Sequence, residues 1–185
     1  GIKVVMPSSP WDAKGLLIQS IRDNDPVMFC EHKMLYGEEE EVPEESYQIP
    51  LGEARVVREG SDVTVVALGR MVHLAVEAAG ELEEQGISVA VIDPRTISPL
   101  DVDTILDSVE ETGRVVVVDE ATPICSMASE IASMIVSDGF SSLRAPIRKV
   151  TAPHTPVPAS PVLEAGYAPT AASIREAVEA VYNYR

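Results

Sequence analysis

The side chains most able to do chemistry are few and scattered. Three histidines occur, His32, His73 and His154. His32 stands in Glu31-His32-Lys33, directly after Val27–Cys30, an apolar run that reads as a strand. Folds that alternate strands and helices place ligands beyond the carboxyl ends of strands. Glu31 and His32 are therefore candidates for a site edge or an interface. His154 is a candidate of the same kind, in the stiff loop Pro153-His154-Thr155-Pro156-Val157-Pro158 after another strand. His73 falls near a helix start and reads as structural or solvent-exposed. Asp119-Glu120 also closes a strand, with solvated carboxylates as the plain reading. Cys125 precedes a helix, where the dipole lowers a thiol pKa. No base stands beside it in sequence, so it reads as a packed or inert thiol. Asp23 and Asp25 lie just past a helix end, where backbone carbonyls lack partners. Oxygen ligands of this kind suit a hard cation, and a simple helix stop and turn is the alternative.

Generic signatures are missing. There is no phosphate loop, no GxGxxG, no GxSxG and no HExxH. The 14 basic and 30 acidic residues leave a formal net charge of −16. Such a surface repels phosphate backbones and anionic lipid, which argues against nucleic acid and membrane as partners. It fits recognition of a basic partner, or plain solubility. Cys30 and Cys125 are the only cysteines, and no His/Cys cluster has metal-ligand spacing. A chain of this size needs no disulfides, so a reducing compartment is expected. No apolar run approaches the length of a membrane span. The chain opens on Gly1-Ile2-Lys3 without Met, in keeping with a further upstream part.

The elements that must position these residues follow from periodicity. Lys3–Met6 reads as a strand. Ser9-Pro10-Trp11-Asp12 reads as a helix start, with serine as cap, proline in the first turn and Asp12 reaching back to the cap amide. Ala13, Leu16, Leu17, Ser20 and Ile21 follow at helical spacing and give that helix one buried face. The strand at Val27–Cys30 then pairs in parallel with the first. The stretch 36–51 carries a glutamate run and Pro43 and Pro50, and reads as an extended acidic linker. A complete unit over 52–185 follows. Strands are expected at Ala54–Arg58, Asp62–Leu68, Ser88–Asp93, Arg114–Asp119 and Ile147–Thr151. Helices are expected from Val72 to Gly86, across Met127–Val136 and near the carboxyl terminus. Ser98-Pro99-Leu100-Asp101 repeats the serine–proline–aspartate helix start, and Gly113 ends that helix. The fold class is α/β, a mainly parallel doubly wound sheet preceded by the tail of a second α/β domain.

Several stretches resemble one family. They are Gly1-Ile2-Lys3-Val4-Val5, Asp12-Ala13-Lys14-Gly15-Leu16-Leu17, Glu31-His32-Lys33 with Leu35-Tyr36, Glu41-Val42-Pro43, Ile49-Pro50-Leu51-Gly52 and Glu59–Thr64. The most specific is Val91-Ile92-Asp93-Pro94-Arg95-Thr96-Ile97-Ser98-Pro99-Leu100-Asp101. Ala145-Pro146-Ile147 and Thr155-Pro156-Val157-Pro158 continue the match to the last helix. In order and spacing these resemble the β subunit of thiamine-diphosphate-dependent 2-oxo acid dehydrogenases, nearest the branched-chain and acetoin types, with pyruvate also open.

The resemblance implies oxidative decarboxylation of a 2-oxo acid, or acetoin cleavage, with transfer to a lipoyl group. It divides the chain into residues 1–35, the remnant of a pyrimidine-binding domain, a linker at 36–51, and a transketolase C-terminal-like domain at 52–185. The family's catalytic glutamate and histidine would lie upstream of Gly1, so this portion alone is expected to be inactive. Thiamine diphosphate with magnesium belongs to the full complex. The expected partners are an α subunit, a second β subunit and the dihydrolipoamide acyltransferase core. Some members bind potassium at the loop matching Ser20–Asp25, which implies carbonyl ligands at Ser20 and Ile21 with Asp23 and Asp25 nearby. The resemblance also implies a cytoplasmic location in a prokaryote, or the mitochondrial matrix in a eukaryote. Two departures stand out. Ile124-Cys125-Ser126-Met127 replaces a glycine-rich turn, and His154 stands where aspartate is usual. A non-catalytic dimerisation or docking module, and a transketolase or deoxyxylulose-phosphate synthase module, are the alternatives.

Overall fold

Runs of valine set the centre of the structure. The computed structural model describes residues 1–184. β7 (Val115–Asp119) and β4 (Val63–Ala67) are buried along their whole length. They lie side by side in parallel, with Val65 opposite Val116 and Val66 opposite Val117. Such continuous apolar strands are stable only where both sheet faces are covered. β5 (Val89–Asp93) joins the other side of β4 in parallel, and β8 (Arg148–Thr151) pairs in parallel with β7. β3 (Arg55–Arg58) closes the edge antiparallel to β5. The order is β3-β5-β4-β7-β8.

Alternation along each strand divides the core in two. Val63, Val65, Val116 and Val118 face one layer, made by α2 (Met71–Glu83) and by α6 (Ala171–Tyr182), which follows the single-turn helix α5 (Pro161–Glu164). Val66, Val115 and Val117 face the other, made by α3 (Val102–Thr112) and α4 (Met127–Asp138). Thr64 is a hydroxyl in this wall of valine. Its Oγ1 lies 2.7 Å from Ser108 Oγ and 2.8 Å from Thr112 Oγ1, so its burial leaves no polar atom unpaired.

A smaller layer precedes this sheet. β1 (Lys3–Val5) pairs in parallel with β2 (Val27–Phe29) across α1 (Pro10–Arg22). Ser9 caps α1 by accepting the Asp12 amide at 3.1 Å. Val5 and Leu16 form the inner face of this layer together with Ile49. Met28 in β2 is exposed, and Val27 and Phe29 are half-buried against the layer's core.

Four expectations need correction. Leu17 and Ile21, expected on the buried face of α1, are exposed, and only Leu16 of that apolar set is fully buried. Ser98 is not a helix cap. It ends a short strand, β6 (Thr96–Ser98), that pairs antiparallel with β1, Val5 opposite Thr96. Asp101 caps α3 instead, accepting the Thr104 amide at 3.1 Å. Burial works against ionisation of Asp101, but the amides of Ala54 and Thr104 and the Thr104 hydroxyl outweigh it and hold the carboxyl below its ordinary range. Asp12 does not reach back to a cap amide either. Its carboxylate accepts the Ser9 hydroxyl at 2.9 Å and turns toward two arginines. Cys125 is exposed rather than packed.

Residues 36–51 form no strand or helix beyond the end of a short 3-10 turn at Lys33–Leu35. The second half of the stretch is nevertheless docked. Tyr47 stacks on Trp11 with ring centroids 4.7 Å apart, and its hydroxyl donates to the Trp11 carbonyl at 2.7 Å. Lys14 donates to the Pro43 carbonyl. Gly15 makes room for this approach, since a Cβ there would meet Ile49 Cγ1 at 2.6 Å and Tyr47 Cε2 at 2.7 Å. Among the described residues no helix is long and apolar enough to cross a membrane.

If the stretch is part of the core, Ile49→Ala should destabilise the chain by about 2–4 kcal/mol in urea unfolding. A loss under about 0.5 kcal/mol would mean that it rides free on the surface.

Candidate functional site

Two sets of polar side chains join the small layer to the large sheet. The first is built on Asp12, which is completely buried on α1. Arg95 Nη1 lies 3.0 Å from its Oδ1, and Arg55 Nη1 lies 3.3 Å from its Oδ2. Arg95 is held in turn by the Glu53 carbonyl at 3.0 Å and the Ala54 carbonyl at 3.3 Å. Its backbone has φ +56°, an uncommon angle for a residue with a side chain. That angle turns the chain between β5 and β6.

Asp93, at the end of β5, is also fully buried. The Ser8 hydroxyl donates to its Oδ2, and the Arg95 amide donates to its Oδ1 at 2.9 Å. Both donors are neutral, and the Arg95 guanidinium contacts Asp12 instead. Burial pushes the Asp93 carboxyl up from 3.8 to about 6, with the Ser8 and Arg95 donors opposing the shift and the Asp12 charge adding to it. His73 Nε2 lies 2.6 Å from the Ser8 carbonyl, which ties α2 to the same seam.

The second set gathers at the carboxyl ends of β4 and β7. His32 Nε2 is 2.8 Å from Glu120 Oε2, and Arg70 Nη1 is 3.6 Å from Glu120 Oε1. The Met34 amide donates to His32 Nδ1 at 3.2 Å. An Nδ1 that accepts leaves the proton on Nε2, where it meets the glutamate. Both ring nitrogens are thus engaged, and His32 holds two parts of the chain together rather than presenting a free acid or base. Asp119, beside Glu120, accepts the Ala121 amide at 3.0 Å and the Ala128 amide at 3.3 Å, and so closes the turn before α4.

His32, Arg70 and Glu120 line a cleft of about 850 Å³. Leu74 and Glu77 of α2, with Val157 and Tyr167 from the loop before α6, form its other walls. Glu31 lies at the neighbouring cavity of about 350 Å³ and accepts the Tyr36 hydroxyl at 2.9 Å, which raises that phenol's pKa. His154 is exposed in its loop, and that loop contributes Val157 rather than His154 to the cleft.

The loop after α1 is arranged around an ammonium group. Lys3 Nζ lies 2.8 Å from Asp23 and 3.2 Å from Asp25. The hydrogen bond from Lys3 holds the Asp23 carboxyl below its ordinary range, and Asp23 raises the lysine. The Ser20 hydroxyl donates back to the Leu16 carbonyl at 2.7 Å. Ile21 is exposed at the same helix end. Among the described residues no group of three or more His, Cys, Asp or Glu is placed to hold a metal ion.

Residues 52–174 match the transketolase C-terminal domain family. The chain belongs to that family. It is 59% identical over 177 residues to the acetoin:2,6-dichlorophenolindophenol oxidoreductase subunit beta of Cupriavidus necator, covering 96% of this chain and 52% of the relative. It is 54% identical to the pyruvate dehydrogenase E1 component subunit beta of Bacillus subtilis, covering 86% of this chain and 50% of that one. The chain therefore spans about half the length of the curated relatives it matches. A solved structure described as a split gene transketolase, inactive beta4 tetramer, superposes with a TM-score of 0.82 at 27% identity, covering 98% of this chain and 57% of that one. The fold of this family member is the mixed sheet with helices on both faces described above.

Sequence reasoning singled out His32 and placed Glu120 at a strand end as a solvated carboxylate, but missed that the two pair and that Arg70 joins them. Asp93 and Arg95 lay inside the most specific motif, yet nothing in the motif showed that they reach Ser8 and Asp12. The twelfth position was read as a capping residue, because an acid in a first helical turn has that ready explanation.

Removing the Arg95 guanidinium leaves the buried Asp12 carboxylate with only Arg55 and the Ser9 hydroxyl. Arg95→Met should cost about 2–4 kcal/mol in urea unfolding, and most of that loss should return in the Arg95→Met, Asp12→Asn double variant. His32→Ala, on a partly exposed pair, should cost about 1 kcal/mol or less in the same measurement.

Proposed function

We propose that this chain is the carboxyl-terminal portion of the β subunit of a decarboxylating component that acts on acetoin or a 2-oxo acid such as pyruvate and passes the product to a lipoyl group. The supporting observation is the likeness to two such β subunits, running along 96% and 86% of this chain but only about half of each relative. In this reading residues 1–35 are the end of a pyrimidine-binding domain, 36–51 the connection, and 52–185 the assembly half of the subunit. The joint chemistry supports it, since the histidine at the strand ends has both nitrogens committed to structure.

Thiamine diphosphate would supply the carbanion chemistry in the whole complex. The described residues of this chain do not fit the group by themselves. They contain no acidic cluster for a magnesium ion, and the sequence has no glycine-rich phosphate loop. The groups that hold it belong to the upstream part of the subunit and to an α subunit. What this chain contributes is the fixed junction and the surface that meets an α subunit, a second β subunit and a dihydrolipoamide acyltransferase core. Its net charge of −16 suits a basic docking domain on that core. The location proposed is the cytoplasm of a prokaryote or the mitochondrial matrix of a eukaryote.

The full-length β subunit, mixed with its α subunit, thiamine diphosphate and magnesium, should reduce 2,6-dichlorophenolindophenol when given acetoin or pyruvate. The 185-residue chain should give no reduction under the same conditions. Turnover by the chain without other subunits would overturn the assignment.

Potassium at the Ser20–Asp25 loop remains part of the proposal, in a restricted form. Lys3 already pairs with Asp23 and Asp25, so the ion would rest on the Ser20 and Ile21 carbonyls. Thermal unfolding at equal ionic strength should then show a higher midpoint in potassium chloride than in sodium chloride. Equal midpoints would remove the ion from this loop.

A further inference from the structure

We propose that the seam between the small layer and the large sheet is a proton-operated clamp, with the Asp93 carboxyl as the group that takes up and releases the proton. Geometry carries this. Asp93 ends β5 and stands where two distant pieces of chain meet: its own β5–β6 corner, closed through the Arg95 amide, and the turn before α1, held through Ser8. It is completely buried and has no cation of its own. The nearby guanidiniums of Arg95 and Arg55 are directed at Asp12.

The charged and titratable groups around it come from every packed element. Asp12 on α1 is a second buried carboxylate. Arg95 approaches from the β5–β6 connection and Arg55 from β3. His73 on α2 faces the same turn through the Ser8 carbonyl. With Asp93 ionised, two buried carboxylates share the seam, and only Asp12 touches a cation. With Asp93 neutral, the carboxyl still bonds to Ser8 and the Arg95 amide, and the cost of burying a second negative charge disappears.

The direction of the effect follows. Burial raises the closed-state carboxyl to about 6, against 3.8 when the seam is open to water. The closed seam binds the proton more tightly, so its stability is greatest in mild acid and falls as pH rises from about 4 through 6. Above that range the penalty is fully present. Opening separates β1 from β6 and releases the α1 layer from the sheet, because the Met6 amide to Arg95 carbonyl bond and the Val5–Thr96 pair lie beside Asp93.

Hydrogen exchange on the whole chain tests this, read at the Met6 amide, which crosses the seam to the Arg95 carbonyl, and corrected for intrinsic exchange rates. Opening should be about tenfold more frequent at pH 7.5 than at pH 5. Asp93→Asn should abolish that ratio, and His73→Gln should retain it. A ratio within twofold in the unmodified chain, one that persists in Asp93→Asn, or one that vanishes in His73→Gln would overturn the clamp. Carbonyl-carbon NMR of Asp93 decides the matter even if the asparagine variant fails to fold. A titration midpoint near 6 supports the proposal and one below about 4.5 sinks it.

Discussion

The structure depends on one carboxylate that has been taken out of water. Asp12 is completely buried on α1, and the groups that make this tolerable, Arg95 and Arg55, belong to the other layer. A buried charge without a partner costs several kcal/mol. The small layer therefore cannot dock in another register without stranding Asp12. Apolar side chains of equal volume can hold a seam as firmly. What the ion pairs add is a penalty for every wrong arrangement. The unusual backbone of Arg95, and the antiparallel pairing of β6 with β1 that follows it, are built around that one contact.

The same logic runs through the second contact set. His32 comes from the loop after β2, and Glu120 and Arg70 come from the ends of strands in the large sheet. In many α/β proteins such an edge is where substrate sits. Here the histidine is spent on joining layers, with one nitrogen on a backbone amide and the other on a carboxylate. A chain that spans about half the length of the β subunits it matches has use for such a junction under the proposed function, which puts the reactive groups outside it.

The large sheet was legible because its strands are short runs of valine between helical patterns, a signal that depends only on local periodicity. The caps at Ser9 and the stop at Gly113 were legible for the same reason. β6 was not. Three residues, Thr96–Ser98, carry no period of their own, and Ser98-Pro99 imitates a helix start. The partnership of Asp12 with Arg95 spans 83 positions, and no local pattern announces it. The acidic stretch was read from its charge and prolines alone. Tyr47 and Ile49, which dock it, were hidden by the glutamates before them.

The placement of β6 bears on how such a protein can be divided. In the chain, the boundary proposed between the two units falls near residue 52, where the family match begins. In space it does not, since β6 comes from beyond that point and completes the sheet of the preceding unit. A gene cut or fused at the apparent boundary would hand one product an unpaired strand and the other an uncompensated aspartate. The two halves can trade partners only if Asp12, Arg95 and the β1–β6 edge travel as one inheritance, which makes this seam the unit on which exchange between related subunits must act.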